Sequence, residues 1–468
     1  MIKWGITALS HDASVVVLEN DNILYASESE RHSKIKNDPY LNDKIILEAL
    51  SYGDPEEIVW YEKPWLKKSR QLYSMQWKEL FSITPYQYLK KWNLHKKLNY
   101  SQHHRSHAAG GYFTSNYNNA VILVIDAIGE WNTISIWEGY LDNLKLVKSF
   151  NYPYSLGLLY SSFTQRVGLK PNEEEYIMMG MAAYGKPIYV EKIRNEILPY
   201  NLHKGIGNWE STADNFDLAA SVQIIIEEEI VKLVEECKTI NSNNLVYSGG
   251  VALNCVANSK LFDYYKNVWI MPNPGDSGNS VGAICDKKIK WNGPYLGTNI
   301  NGEYPIEYIL KELKTNKIVG IANGRAEFGP RALGNRSLFA DPRGHDIKNQ
   351  MNRIKNRQEF RPFAPVILEQ DLKEYFDVNF NKSPYMQFIG KCKYPDQFPA
   401  ICHIDNTSRI QTVTEEEHFG LYHLLIKWKE ETGCPMLLNT SLNIKGYPMV
   451  NDVFDAAAFS NKYSIRVF

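Results

Sequence analysis

The chain has 468 residues, with 52 Lys and Arg against 53 Asp and Glu, a net charge of −1, 44% apolar residues and 22% charged ones. That length fits two to three domains that each bury a core. The even charge balance excludes a molecule-wide field for nucleic acid, and no apolar run approaches the roughly 20 residues that span a bilayer.

The first 35 residues read as a β-meander: "KWGITALS", a turn at His11-Asp12, "SVVVLEN", a turn at Asp21-Asn22, then "ILYASES". A strand at the start, in place of a signal peptide, predicts a cytoplasmic protein with no membrane partner. Residues 63–97 hold eight lysines and Arg70, interleaved with Trp65, Tyr73, Trp77, Phe81, Tyr86, Tyr88 and Trp92. Amphipathic helices with an aromatic core face and a solvated basic face are the expectation here. The alternative is a surface for a phosphate-bearing acceptor whose bases would stack on the rings.

Next comes His103-His104-Arg105-Ser106-His107. His103 and His107 are four residues apart, so on a helix both imidazoles leave one face, as two ligands of one metal ion do. Asp126, ending the apolar strand of "AVILVIDAIGEW", and Asp276, in the Gly-rich turn "PNPGDSGNSVGAI", would add oxygen ligands. Two imidazoles and carboxylates suit iron, manganese or zinc. A histidine cluster satisfied within the core is the competing reading.

Residues 120–150 repeat the opening meander, 218–240 form a periodic amphipathic helix, and 243–261 ("NNLVYSGGVALNCVANSKL") read as strand, Gly-Gly turn and helix. Backbone N–H groups at Gly249 and Gly250 offer a place for a nucleotide phosphate. Two meanders and strand-Gly-helix units predict a duplicated α/β domain. "WNGPYLGTNINGEYP" (291–305) reads as a linker, which divides the chain into domains 1–295 and 296–468.

Beyond it lies "GRAEFGPRALGNRSLFADPR" (324–343), followed by Arg353, Lys355, Arg357 and Arg361. Guanidinium forks match phosphate, and small turn-forming residues bring backbone close to what the arginines hold, so an anionic ligand is expected. Arg409, and Asn439, Thr440 and Ser441 in "LLNTSLNIKGYP", follow. The six cysteines, spread along the chain without a CxxC pair, are read as reduced and mostly buried thiols.

Taken in order, "SHDASVVVLENDNILYASESERHSKIKND", "HHRSHAAGGYF", "DAIGEW", "SGGVALN", "GDSGNSVGA", "GRAEFGPRALGNRSLFADPR", "EFRPFAPVIL" and "LNTSLNIKGYP" resemble the carbamoyltransferases that include NodU-type nodulation enzymes and antibiotic O-carbamoyltransferases. The resemblance covers nearly the whole chain. It implies an N-terminal α/β domain with the duplicated TsaD-type fold of the actin-like ATPases, followed by a smaller YrdC-like α/β domain. It also implies the reaction. Carbamoyl phosphate and ATP would give carbamoyl-AMP in the C-terminal domain, and an acceptor hydroxyl would take the carbamoyl group in the N-terminal one.

On matching positions, Lys355, Arg361, Arg409 and Ser441 would form the carbamoyl phosphate and ATP pocket, with Arg331, Arg336 and Asn439 beside it. His103, His107, Asp126 and Asp276 would hold iron, Mg2+ would accompany ATP, and Gly249, Gly250 and Asn254 would line a second nucleotide site. His11 would be the base for the acceptor. That acceptor is the hydroxyl of a small molecule or sugar, or of a hydroxymethylated pyrimidine in a nucleotide or DNA. The chain departs from the family at Ile177, where lysine is common, at Ala127, where glycine is, and at Tyr447, where an acidic residue is. A threonylcarbamoyl-AMP-type tRNA modification factor and a non-catalytic actin-like nucleotide-binding protein are the alternatives.

Overall fold

A computed structural model describes residues 1–200 and 205–468, which form two compact units. The first unit comprises Met1–Ser29 and Asn37–Trp291, the second Glu30–Lys36 and Asn292–Phe468.

In the first unit, β1 (Ile2–Thr7), β2 (Ser14–Glu19) and β3 (Asn22–Glu28) make the expected antiparallel meander, and β4 (Glu57–Trp60) and β5 (Leu98–Tyr100) join in parallel. The sheet order is β3-β2-β1-β4-β5. The same plan returns with β6 (Asn119–Ile125), β7 (Asn132–Tyr140), β8 (Asn143–Asn151), β9 (Asn244–Ser248) and β10 (Asn267–Trp269), ordered β8-β7-β6-β9-β10. Three meander strands followed by two parallel crossovers, made twice, is the duplicated actin-like ATPase architecture. Two strands depart from period-2 patterning. In β2 and β6 all but one residue is buried, because these strands are covered on both faces, as strands of mixed and parallel sheets are.

The glycines set how closely the two halves approach. A Cβ on Gly282, in the helix Asn279–Ile284, would lie 1.7 Å from the Ser106 carbonyl oxygen of the helix His103–Thr114. Any larger residue would push the helices apart and carry His107 away from the Asp276 turn. The long helix is Asn215–Cys237, started by Asp214, whose side chain accepts from Phe216 N and Asp217 N, and it buries Val222, Ile226, Ile230 and Val234.

Residues 63–97 do not fold as the amphipathic reading predicts. They form the helices Pro64–Tyr73, Trp77–Leu80 and Pro85–Leu89, yet Trp65, Tyr73, Trp77, Phe81 and Tyr86 are exposed. What the segment buries is Arg70, Gln71, Pro85, Leu89 and Leu94. The rings do not serve as its core.

In the second unit β12 (Ile318–Ala322), β14 (Arg336–Ala340), β15 (Ala364–Leu368), β16 (Phe376–Asp377), β17 (Phe388–Cys392), β18 (Thr407–Val413) and β19 (Met436–Ser441) form one sheet, ordered β12-β14-β19-β15-β18-β17-β16. The Gly- and Asn-rich segment expected to be a linker contains β11 (Tyr295–Ile300), which pairs antiparallel with β13 (Gly324–Glu327). Its backbone is held by the arginine stretch. The excursion Glu30–Lys36 also belongs to this unit: Arg31 Nη2 donates to the carbonyls of Glu327 (3.3 Å) and Gly329 (3.0 Å), and Lys34 pairs with Asp455. All six cysteines are free thiols and buried. Among the described residues no helix is long and apolar enough to cross a membrane.

Candidate metal centre and anion-binding residues

His103, His107, Asp126 and Asp276 converge, with one ligand atom from each within 4.8 Å of all the others. The helix His103–Thr114 supplies both imidazoles from one face, Asp126 directly follows β6, and the turn after β10 supplies Asp276. His103 Nε2 lies 3.0 Å from Asp126 Oδ2 and 3.1 Å from His107 Nε2. Asp276 Oδ1 sits 3.4 Å from both imidazole nitrogens and, though buried, takes part in no hydrogen bond. A buried anionic oxygen facing two ring nitrogens is satisfied by a cation they share. The donor set therefore fits a metal ion.

Burial opposes charge on each of these groups, and their mutual pairing outweighs it. Asp276 and Asp126 hold the His103 and His107 imidazoles above their ordinary pKa, and the imidazoles hold both carboxyls below theirs. His104 differs. Burial and the two neighbouring imidazoles push it well below the usual histidine range, and its Nδ1 lies 2.8 Å from Ser135 Oγ, so it stays a neutral core residue.

Three further residues frame the centre. Glu130, in "DAIGEW", accepts from His103 N at 3.0 and 3.1 Å and from Lys63 N at 2.9 Å, doing the capping that Gln102 does not. Glu62 lies 3.9 Å from His103 Nδ1 and pairs with Lys67 at 2.7 Å. Asn279 Nδ2 lies 3.0 Å from His107 Nε2. None was picked from the sequence. Asn279 stands three residues after Asp276 on the next helical turn, a spacing that would have flagged it.

His11 belongs to this neighbourhood. Its Nδ1 is 2.8 Å from Asp12 Oδ2, and although burial works the other way, Asp12 and then Asp276 raise its pKa to about 9. At neutral pH it is therefore protonated, and positive charge that offsets the pull of Asp276 would lower its pKa and free the neutral imidazole to act as a base. Gly249 takes φ +95°, and a Cβ there would lie 2.2 Å from the Ile125 carbonyl, so only glycine permits this crossing of β9's end over β6. Gly250 N donates to Asp126 Oδ1 (3.2 Å), which ties the turn to the centre. Asn254 accepts from Ala257 N as a helix cap and exchanges hydrogen bonds with Gln223, so its amide is spent on structure. Ile177 is buried.

In the second unit the arginine stretch is a scaffold first. Arg336 is fully buried and donates to the carbonyls of Asn451 (3.0 Å), Asn323 (3.0 Å), Gly324 (3.1 Å), Asn335 (2.9 Å) and Thr298 (2.9 Å). With every guanidinium nitrogen so engaged, it does not line an anion pocket as expected. Arg325 binds the Leu296 and Gly297 carbonyls, and Arg343 holds Asp341. Glu327 Oε1 gathers Leu333 N, Asn335 N and Arg336 N, cinching the turn. Asn439 Nδ2 clamps Ala332 O (3.1 Å) and Gln411 Oε1 (2.7 Å), leaving its own buried Oδ1 without a hydrogen bond. Arg331 and Arg409 are half-buried.

Lys355 reads differently. Its buried Nζ donates to Ser441 O (2.7 Å), Ser441 Oγ (3.3 Å), Asn443 O (3.2 Å) and Asn443 Oδ1. Burial, then the positive charges of Arg357, Arg361 and Lys36, push its pKa well below the ordinary lysine value. No ion pair of Lys355 stands against these cations among the described residues. A buried amine that meets a hydroxyl and an amide while three other cations act on it is an environment that an anion would relieve. Asn443 escaped the sequence reading, although it stands two residues from Ser441.

The chain matches two family models, "Carbamoyltransferase N-terminus" over residues 60–210 and 200–285 and "Carbamoyltransferase C-terminus" over 310–468. An uncharacterized protein of Synechocystis sp. is 31% identical over 97% of this chain and 93% of its own length. Nodulation protein NolNO of Sinorhizobium fredii is 27% identical over 95% of this chain and 76% of its own. Among solved structures, component A of Acidaminococcus fermentans (R)-2-hydroxyglutaryl-CoA dehydratase aligns at a TM-score of 0.39 and 12% identity, covering 62% of this chain and 98% of that one.

Proposed function

The chain belongs to the carbamoyltransferase family, a family of enzymes, and on that premise we propose that it is an ATP-dependent O-carbamoyltransferase working in two half-reactions. In the first, water splits carbamoyl phosphate into carbamate and phosphate, and a carbamate oxygen attacks the α-phosphorus of ATP, which arrives with Mg2+. Carbamoyl-AMP forms and pyrophosphate leaves. In the second, an acceptor hydroxyl adds to the carbamoyl carbon, AMP leaves, and the hydroxyl proton passes to a base. Substrates of this kind place the protein in the cytoplasm.

The observation that carries this reading is Lys355, a buried amine among like charges, beside the hydroxyl of Ser441. Fixed cations in a dry site stabilise phosphate charge as it moves to the leaving group. Lys355 and Arg361 fill that role, with Arg331 and Arg409 at the same pocket. The second unit is assigned the adenylate-forming, YrdC-like part on this basis.

In the first unit His103, His107, Asp126 and Asp276 are assigned to iron, which when bound would act as a Lewis acid toward nucleotide phosphates. Gly249 and Gly250 form the turn that would face the nucleotide, although their N–H groups are held by Pro274 O (2.9 Å) and Asp126 Oδ1 (3.2 Å) and not free for phosphate as expected. His11, once deprotonated, receives the acceptor proton. The acceptor is the hydroxyl of a small molecule or sugar, or of a hydroxymethyl pyrimidine in a nucleotide or DNA. The test is incubation of the full chain with ATP and carbamoyl phosphate, followed by assay of AMP and pyrophosphate. Product that depends on both substrates supports the reading, and none, with the protein folded, refutes it. The mass gained by glycosides, nucleotides and hydroxymethylated DNA then identifies the acceptor.

A further inference from the structure

The geometry points to a second property, independent of the carbamoyl chemistry: residues 64–92 form a docking surface for an anionic lipid bilayer. The expectation of no membrane partner concerns a signal peptide and a spanning segment. A surface that lies on a bilayer needs neither. It needs apolar side chains that protrude and cations that reach headgroups, and both are present. Met75 is 74% exposed and Phe81 84%, with Leu72, Tyr73, Trp77 and Ile83 exposed beside them. An apolar surface of this kind marks an interaction site.

Charge selects the occupant. Residues 63–97 carry eight lysines against a single acidic residue, Glu79, in a chain whose net charge is −1. Lys67 pairs with Glu62 and Lys91 with Asp43, and the other six lysines have no carboxylate in the segment but Glu79. A second copy docked through the same face would bring two strongly positive surfaces together, because a twofold contact pairs a patch with itself. An anionic partner is required.

Between lipid and polynucleotide, side-chain chemistry decides. Leu72, Met75 and Ile83 have no ring to stack on a base, whereas all three suit the acyl boundary. Arginine forks, which recognise phosphodiesters bidentately, are missing from the surface. Arg70 is buried, with Nε on the Glu130 carbonyl at 2.9 Å. Lysines instead carry point charges on flexible stems toward a diffuse headgroup layer. The patch is also anchored. Arg70 and Lys63 N both bind Glu130, the residue that caps the helix of His103 and His107.

Co-sedimentation of the full chain with phosphatidylcholine–phosphatidylglycerol vesicles, against pure phosphatidylcholine vesicles, tests this. Binding is expected to the first only and to weaken as salt rises. Met75→Ser with Phe81→Ser should weaken it at least about tenfold, and Lys68→Glu or Lys78→Glu about fivefold each. AMP formation, which these residues do not serve, should be unchanged and reports that the variants are folded. Vesicle binding that is absent, or that the variants leave intact, overturns the inference. So does retention of a single-stranded oligonucleotide in place of vesicles, or a doubled solution mass, when the same variants abolish it.

Discussion

Around His103 and His107 the charged atoms face one another across a shared point, while around Arg336 every guanidinium nitrogen ends on a backbone carbonyl. Both regions are dense in charge, and both stand out in the sequence. Their difference lies in what balances the charge. In the first unit carboxylates answer imidazoles, and a buried oxygen of Asp276 is left aimed at the cluster. In the second, Arg336 at the heart of the arginine motif is answered by main-chain carbonyls, and Lys355, outside the motif, feels the positive charge of Arg357, Arg361 and Lys36. A run of arginines can build the wall of a site without touching what the site holds.

The comparison breaks first at Arg336. Arg336→Ala strands several buried carbonyls at about 1–3 kcal/mol each, a large share of a typical folding free energy. The expected result is a large fall in Tm or loss of soluble protein; an unchanged Tm with activity alone lost would make Arg336 an anion ligand after all.

Lys355→Ala should do the reverse. Removing one preorganised cation costs on the order of 10²–10³ in rate. Relieving a buried amine of its like-charged neighbours offsets the loss of its donors to the Ser441 and Asn443 carbonyls. Tm should therefore fall far less than in Arg336→Ala, and AMP release and a melting curve together separate the two arginine-region roles.

His107→Ala sharpens the other side. Metal affinity should fall more than about 100-fold, the upper end for losing an outer-shell partner. Elemental analysis should then find the metal gone, with adenylate formation in the second unit intact.

The smallest effect concerns His11. Its folded pKa is raised to about 9, so its pairing with Asp12 stabilises the fold fully below about pH 6.5 and is lost as pH rises through 9. Because the pair is partly exposed, His11→Ala should flatten that stretch of the pH–stability curve by only about 1 kcal/mol.

Much of this was legible in the residues. The repeated meander gave the duplicated sheet, because period-2 runs and Gly turns act locally. The four-residue spacing of His103 and His107 gave the shared helix face. Bringing Asp126 and Asp276 to that face was an inference about tertiary structure, set by the close helix approach at Gly282. What stayed hidden depends on contacts between distant segments. Arg336 meets Asn451 and Thr298, Lys355 meets Asn443, and the Glu30–Lys36 excursion meets Glu327. The segment 64–92 misled for a related reason: its helical pattern says which residues share a face, and whether that face is covered depends on elements far along the chain.

The central claim is that Lys355 and the cations around it make the activated carbamoyl group, apart from the metal centre that serves its transfer. Pyrophosphate release from ATP and carbamoyl phosphate, measured without acceptor in the wild type, His107→Ala and Lys355→Ala, tests it most directly. The account predicts undiminished release by the first two and a rate lower by about 10²–10³ in Lys355→Ala; undiminished release by Lys355→Ala would contradict it.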